Sequence, residues 1–213
     1  LSAIYMDVTK DRLYSEAPAS PRRRAVQTVL MNVLEVLVRV LSPILSFTCE
    51  EVWEHYPTTI RNNEGREISV QLAGWPKAED FTPALPGEDE LAAILADFSE
   101  VIAVRDVVTK ALEDARGEKV INKSQEATVT VTAPKATLDA MGVYAAEVFE
   151  ELFIVAHVDF VEGDELSAAI APATGEKCPR CWNFRELGGN ANHPHVCKRC
   201  GDALDAIGFT EAE

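Results

Sequence analysis

Four cysteines near the end of the sequence place the strongest constraint on how this chain can fold. Cys178 and Cys181 form one Cys-x-x-Cys pair, Cys197 and Cys200 form a second, and fifteen residues separate the two pairs. Two tight turns at this spacing bring four sulfurs around one tetrahedral Zn²⁺. Because four ligands complete the coordination shell, we predict one structural zinc ion with no open position for a catalytic water.

The same cysteines also permit disulfides or a redox dithiol motif. Nothing else in the sequence indicates an oxidising compartment. A thioredoxin-like motif needs one Cys-x-x-Cys pair in a βαβ setting, whereas this chain has two pairs around a Gly-, Asn- and Pro-rich loop. These points favour zinc. His193 and His195 lie between the pairs, and the complete cysteine set leaves them as loop residues or as partners behind the ligands.

The net charge of −15 argues at first against a nucleic-acid partner. The charge is unevenly distributed, however, because the largest acidic excess lies within 125–172, whereas 178–200 carries four basic side chains against Glu186. Zinc bound to four thiolates removes two charges and leaves this segment at about +1. We therefore predict a modest basic surface at the zinc module of an otherwise acidic protein.

The first 116 residues show the periodicity of a helical bundle. Apolar residues recur at steps of three and four, as on one face of a helix that packs against others. The predicted helices are an amphipathic helix over 1–15 and two long helices, from Pro21 to about Leu41 and from about Glu88 to Arg116. Thr48-Cys-Glu-Glu51 has the form of a capping box and predicts a short helix that includes Tyr56. Residues 57–87 are rich in Pro, Gly and Asn and predict a connector with one short strand near 68–72.

The period of the pattern changes after Gly117. Residues 127–133 alternate as in a half-buried strand, and the pattern from Pro134 to about Leu152 predicts a helix. Further predicted elements are strands over 153–161 and 166–171 and a helical turn or two over 202–207. The predicted fold class is α+β and predominantly α. Its predicted parts are a helical domain at 1–116, a small α/β unit at 117–172 and a four-cysteine zinc finger at 173–213.

Trp182 directly follows Cys181 in a turn too small to have a core of its own, and Phe184 lies two positions further on. An aromatic ring on a rigid metal-held turn is a stacking surface for an unpaired base, while nearby cations contact phosphates. Alternatively, the two rings cover the zinc and shield its sulfurs, and the sequence leaves both interpretations open. The predicted RNA-contacting residues are Trp182, Phe184, Arg180, Arg185, Lys198 and Arg199.

The sequence offers no set of side chains that predicts catalysis. It supports no Ser/His/Asp or Cys/His arrangement and contains no Gly-rich phosphate loop, and adjacent acids such as Glu150 and Glu151 are typical of solvated surface. The longest apolar run, 26–45, is interrupted by polar residues and predicts a buried helix, with no membrane span. Since no signal peptide is visible either, we expect a cytoplasmic protein.

Several stretches resemble the C-terminal region of bacterial-type isoleucyl-tRNA synthetases. LSAIYMDVTKDRLY and SPRRRAVQTVLMNVLEVLVRVLSPILSFTCEEVW resemble the helical anticodon-binding domain shared by the class I synthetases for isoleucine, valine and leucine. AVRDVVTKALEDARGEKVINKSQEATV resembles the helix-to-strand passage that follows it, with Asn122 where Gly is usual and Gln125 where an aliphatic residue is usual. GEKCPRCWNF with CKRCG resembles the terminal zinc finger, a module related to that of formamidopyrimidine-type DNA glycosylases.

The resemblance implies a region that grips the anticodon stem and loop of isoleucine tRNA. In the parent enzyme a separate catalytic domain would use ATP to join isoleucine to the tRNA. The sequence lacks the HIGH- and KMSKS-type signatures of that domain and the editing domain, so we expect no aminoacylation by this chain alone. The implied partners are isoleucine-specific tRNA and the parent's catalytic domain, with the protein a monomer. Two alternatives are the DNA-binding end of a glycosylase and a purely structural zinc-stapled domain.

Overall fold

This computed structural model describes residues 2–57, 60, 65–77, 80, 87–142 and 144–210. The chain forms two compact units, which we name the helical unit (Arg24–Pro86) and the mixed unit (Leu1–Arg23 together with Gly87–Glu213). Among the described residues, no helix is long and apolar enough to cross a membrane.

Helices account for most of the regular structure. The described α-helices are α1 (Lys10–Ser15), α2 (Pro21–Leu41), α3 (Ser46–Glu54), α4 (Glu88–Gly117), α5 (Lys135–Met141), α6 (Ala146–Phe153) and α7 (Lys198–Asp205). The strands are β1 (Ala127–Ala133), β2 (His157–Glu162), β3 (Ser167–Pro172), β4 (Glu176–Lys177) and β5 (Phe184–Arg185). A π-helical turn, Ser2–Met6, precedes α1, so the single helix predicted over 1–15 is interrupted.

The start of α3 shows that the predicted capping box is wrong. The helix begins at Ser46, so Thr48 lies within its first turn, and the N-cap residue, Leu45, makes no side-chain cap hydrogen bond. The Leu45 amide donates to the carbonyl of Leu41 at 2.8 Å, and the Cys49 amide donates to the carbonyl of Leu45 at 2.9 Å. Helical hydrogen bonding therefore resumes at the corner after α2, and no side-chain cap is needed there.

The strand predicted near 68–72 is also wrong, because Val70–Leu72 forms a 3₁₀ turn. Ser69 caps this turn by accepting a hydrogen bond from the amide of Gln71 at 3.1 Å. The carboxylate of Glu50 accepts from the amide of Val70 at 3.2 Å. These side chains satisfy backbone donors that a strand would have offered to a neighbour. Part of the predicted connector at 57–87 lies outside the described residues.

β1 is the central strand of the three-stranded sheet in the mixed unit. It runs parallel to β2 and antiparallel to β3, and its alternation places Val129 and Val131 in the core, as predicted. The C-terminal half of α4 belongs to the same core through Val101, Val104, Val108, Leu112 and Ala115. Ile94, Leu95 and Phe98 in its first half are exposed, so the predicted packed face is formed along only part of the helix.

Two local features reshape the connection from β1 to β2. The predicted helix over 134–152 is two helices, because α5 ends before Gly142. After α6, Ile154 adopts a left-handed conformation (φ 59°), and the Val155 amide closes the turn by donating to the carbonyl of Glu150 at 2.9 Å. The chain leaves this turn before extending, so β2 begins at His157, four residues later than predicted.

Candidate metal centre and nucleic-acid interface

Cys178, Cys181, Cys197 and Cys200 converge in the mixed unit, with their sulfurs all within 4.8 Å of one another. The Sγ atoms of Cys181 and Cys197 are 3.9 Å apart. Zinc–sulfur bonds of about 2.3 Å in a tetrahedron require sulfurs about 3.8 Å apart, so these four residues fit zinc. All but Cys181 are fully buried. The site has the donor number and the enclosure of a structural centre.

The sequence around each cysteine pair explains how the sulfurs meet. In the first pair, the Trp182 amide donates to the carbonyl of Cys178 at 2.8 Å, and the Cys178 amide donates to the carbonyl of Asn183 at 2.9 Å. This tight turn is flanked by β4 and β5, which pair antiparallel. In the second pair, Cys197 is the N-cap of α7, which places Cys200 in the first turn of that helix. The helix predicted from 202 therefore begins four residues earlier.

Gly201 is required by a close approach between segments. A Cβ atom at this position would lie 2.5 Å from the Cβ of Asn190, too close for any side chain. The Asn190 amide group in turn donates to the carboxylates of Asp202 and Asp205 at 3.1 Å and 2.7 Å. The loop between the cysteine pairs is thus fastened to α7, which fixes the second pair against the first.

One of the four thiol groups, that of Cys197, favours the anionic state. Hydrogen bonds from Cys181 and then Cys200 lower the pKa of Cys197 to about 3. The pKa of Cys200 is raised well above its ordinary value by its hydrogen bonds with Cys181 and Cys197. Negative charge is therefore favoured on the Cys197 sulfur, while Cys200 stays protonated. A bound zinc ion would displace that proton and hold all four sulfurs as thiolates.

The two histidines of the loop are not part of the four-sulfur group. His193 is buried, its Nε2 lies 3.4 Å from a carboxylate oxygen of Asp205, and its ring packs against Phe209. His195 is exposed. The interpretation of both as loop residues agrees with these positions.

Trp182 projects from the tight turn of the first cysteine pair, with 60 % of its surface exposed and a left-handed backbone (φ 62°). The ammonium group of Lys177 lies 5.6 Å from the centre of its ring. The side chains packed against the cysteines are instead the aliphatic residues Val196, Leu187 and Leu204. Phe184 is half-buried in β5. The ring of Trp182 is therefore available to a partner.

Three of the four basic residues near the zinc site contact other parts of the mixed unit. Arg199 forms a two-point ion pair with Asp11 of α1, with Nη2 and Oδ1 2.9 Å apart. Arg185 donates to Glu150 of α6 at 2.9 Å. Arg180 donates to the carbonyl oxygen of Ser15. Lys198 pairs with Asp202 one turn away, at 2.6 Å, and is exposed.

Glu150 and Glu151 were expected on the solvated surface, and that expectation is wrong. The side chain of Glu151 is 7 % exposed and forms ion pairs with Arg12 and Arg22, at 2.6 Å in the case of Arg12. Buried carboxylates require such partners. No sequence pattern marks these pairs, because their members lie more than one hundred positions apart.

The fold and the site define a class: a largely helical chain that carries a closed four-cysteine zinc finger. Residues 1–131 match the family described as the anticodon-binding domain of tRNA ligase, and 175–202 match the zinc finger found in FPG and IleRS. The first match spans more than half of the chain. This protein therefore belongs to the family of anticodon-binding domains of tRNA ligases.

Bacterial isoleucine–tRNA ligases are similar to this chain over almost its whole length. It is 40 % identical to the isoleucine–tRNA ligase of Carboxydothermus hydrogenoformans over 97 % of the chain, and 41 % identical to that of Geobacillus kaustophilus over 96 %. The chain spans 22 % of the length of each of these relatives. The resemblance stated from the sequence is confirmed. The alternative of a DNA glycosylase is not favoured. The zinc-finger family includes both FPG and IleRS, whereas the match over 1–131 is to tRNA ligases.

Proposed function

We propose that this chain is the tRNA-binding region of an isoleucine–tRNA ligase and that it grips the anticodon stem and loop of isoleucine tRNA. The observation that carries the proposal is the family match over 1–131. The similarity to isoleucine–tRNA ligases supports isoleucine tRNA as the partner. Catalysis, with ATP, belongs to a separate domain of the parent enzyme. The chain contributes by positioning the tRNA, and the division into 1–116, 117–172 and 173–213 assigns RNA contacts to the first and last parts.

Within the zinc finger, the exposed ring of Trp182 is the stacking surface for an unpaired base. Lys198, exposed at the start of α7, is the proposed phosphate contact of the finger. The arginines at 180, 185 and 199 orient the finger through their contacts with Ser15, Glu150 and Asp11, and in this proposal they remain RNA-contacting residues. Zinc supports this function indirectly, because it holds the turn that presents Trp182.

A titration with isoleucine tRNA tests the proposal. Loss of one stacked base lowers affinity by about tenfold, so Trp182→Ala should bind more weakly, whereas Trp182→Phe should retain most of the affinity. Lys198→Ala should reduce affinity several-fold, and chelation of zinc should have at least the effect of Trp182→Ala.

Two results would contradict the proposal. If Trp182→Ala and Lys198→Ala both leave tRNA affinity unchanged, the finger is a structural staple without RNA contacts. A preference for duplex DNA over tRNA would support the glycosylase-like alternative.

A further inference from the structure

A cleft with a volume of about 650 Å³ opens between α1, the turn before β1, the end of α6 and the first cysteine turn. All residues that line it belong to the mixed unit. Its volume lies in the range of pockets that enclose a small organic ligand. Trp182 lies on this cleft, and so does a second exposed aromatic residue, Tyr14, with 78 % of its surface accessible. Two exposed aromatic rings on one cleft are typical of sites that bind unpaired bases.

The position of Tyr14 is fixed by contacts on both sides of it in sequence. Asp11 is held by Arg199, and the carbonyl oxygen of Ser15 is held by Arg180. α1 is therefore anchored to the zinc finger at two points that flank Tyr14. A ring whose backbone is held in this way loses little conformational freedom when it stacks on a ligand.

The cleft is lined by four basic and four acidic side chains, so its charge is balanced on a protein whose net charge is −15. Each carboxylate that lines it is already paired: Asp7 with Lys10, Asp11 with Arg199, Glu150 with Arg185, and Glu151 with both Arg12 and Arg22. Lys123 also lines the cleft, is exposed, and forms no salt bridge with the described residues. An anionic group such as a phosphate would supply a direct ionic partner for Lys123.

Hydrogen-bonding groups complete the lining. Gln125 and Asn183 both line the cleft, and carboxamides donate to and accept from the edges of bases. A purely apolar ligand would leave these groups unsatisfied, whereas a nucleobase with its phosphate matches them.

We propose that this cleft binds one unpaired nucleotide of the RNA, with its base against Tyr14 and Trp182 and its phosphate at Lys123. The inference rests on the proposed function, because it names the place where a loop nucleotide of the tRNA enters the protein. It adds Tyr14, Lys123 and Gln125 to the residues that contact RNA. Tyr14 is near the start of the sequence and Trp182 is near its end. The site therefore exists only when the zinc finger is packed against α1.

The test uses the complete chain loaded with zinc and an RNA hairpin with the sequence of the anticodon arm of isoleucine tRNA. The adenine analogue 2-aminopurine is placed at each loop position in turn, since stacking on an aromatic side chain quenches its fluorescence. One loop position should be quenched by the wild-type chain. Tyr14→Ala should lose about tenfold in affinity together with that quenching, whereas Tyr14→Phe should retain both. Lys123→Ala should weaken binding several-fold and make the slope of log affinity against log salt shallower by about 0.7.

Lys110→Ala is the matched control, because Lys110 is an exposed lysine of α4 that does not line the cleft. It should leave the affinity and the quenching unchanged. If the hairpin binds and Trp182→Ala weakens it, but Tyr14→Ala and Lys123→Ala behave as wild type, the cleft inference is overturned and the proposed function stands. If the wild-type chain does not bind the hairpin or the whole tRNA, both are overturned.

Discussion

Trp182 holds an exposed ring on a backbone conformation that ordinarily favours glycine. Its φ of 62° is in the left-handed region, which costs an L-residue about 1–2 kcal/mol. Because the ring is largely exposed, removing it costs little burial. Trp182→Gly should therefore give a finger about 1 kcal/mol more stable than Trp182→Ala. Unfolding of the zinc-loaded chain in urea, with zinc release as the monitored signal, measures this difference in stability.

The matched control for this substitution is Glu186, an exposed residue of the same module outside the left-handed region. There the order should reverse, with Glu186→Ala more stable than Glu186→Gly, because glycine loses more conformational freedom on folding. Equal stability of the Gly and Ala variants at 182 would show that the left-handed turn is not strained. The left-handed conformation would then give no reason for a large aromatic residue at position 182.

The ion pair between Asp11 and Arg199 predicts a pH dependence. Burial alone would raise the pKa of Asp11, but the hydrogen bonds and charge of Arg199 outweigh it and hold that pKa below its ordinary value. The ionised carboxylate therefore contributes stability that is complete above about pH 4 and is lost as the pH falls through the lowered pKa. Asp11→Asn should cost about 1 kcal/mol at neutral pH, and the difference from wild type should shrink towards zero in acid.

Measuring the difference between variant and wild type removes the effect of zinc loss in acid, which both proteins share. Asp139→Asn is the control, since Asp139 pairs with Lys135 at 3.5 Å on an exposed surface. Its effect on the free energy of unfolding should be close to zero at every pH. A cost for Asp11→Asn that persists unchanged below about pH 3 would mean that the carboxylate charge is not what fastens α1 to the finger.

At the scale of residues, the sequence predicted that the four cysteines meet at one site, and it missed the surroundings of that site. The ligand spacing is local, so two Cys-x-x-Cys pairs were sufficient to identify the site. Asp11 and Arg199 are 188 positions apart, and no pattern in a single sequence connects them. The same holds for Glu151 and Arg22, and for Tyr14 and Trp182 on the cleft. Pairings of this kind depend on how elements pack, which periodicity does not encode.

At the scale of elements, zinc should be required for the finger and dispensable for the sheet. Structural zinc contributes on the order of 10–16 kcal/mol in small fingers, and β4, β5 and α7 have little core beyond the cysteines and three aliphatic side chains. The sheet and α4 have a separate core of their own. Chelation should therefore unfold Glu176–Asp205 while α4 and β1 stay folded.

Hydrogen exchange resolves this outcome amide by amide. After chelation the amides of Trp182 and Gly201 should exchange freely, whereas those of Val129 and Val131 keep their protection. Equal loss of protection in the finger and in β1 would show that the mixed unit folds as one cooperative body. Metal analysis gives an independent check, because a metal-to-protein ratio near zero before any chelator is added would contradict the zinc assignment.

Elements with a long periodic pattern were predicted well, including their ends, whereas shorter elements were not. α2, α4 and β1 each repeat one period often enough for neighbouring residues to support the assignment. The errors lie where a few hydrogen bonds determine the local backbone conformation. These places are the corner at Leu45, the caps formed by Ser69 and Glu50, and the left-handed Ile154. Propensity is weak at such positions, so tertiary contacts determine where each element begins and ends.

For the whole molecule, the distribution of charge matters more than its sum. A net charge of −15 repels RNA at long range, yet four cations line one cleft and Lys198 and Arg199 belong to the zinc finger that borders it. Most of these cations are already paired with carboxylates. The protein thus offers an RNA a small number of positive groups, together with aromatic rings whose contribution does not depend on salt.

This distribution predicts a shallow salt dependence of tRNA binding. Each phosphate neutralised in a single-stranded segment contributes about −0.7 to the slope of log affinity against log salt. With Lys123 and Lys198 as the principal phosphate contacts, the slope should lie at about −1.4 to −2. Stacking on Tyr14 and Trp182 should preserve binding at salt concentrations that release a purely electrostatic ligand. Titrations of isoleucine tRNA at several salt concentrations measure the slope. A slope steeper than about −5 would require many phosphate contacts elsewhere on the chain, and recognition would then be a property of an extended surface instead of this cleft and finger.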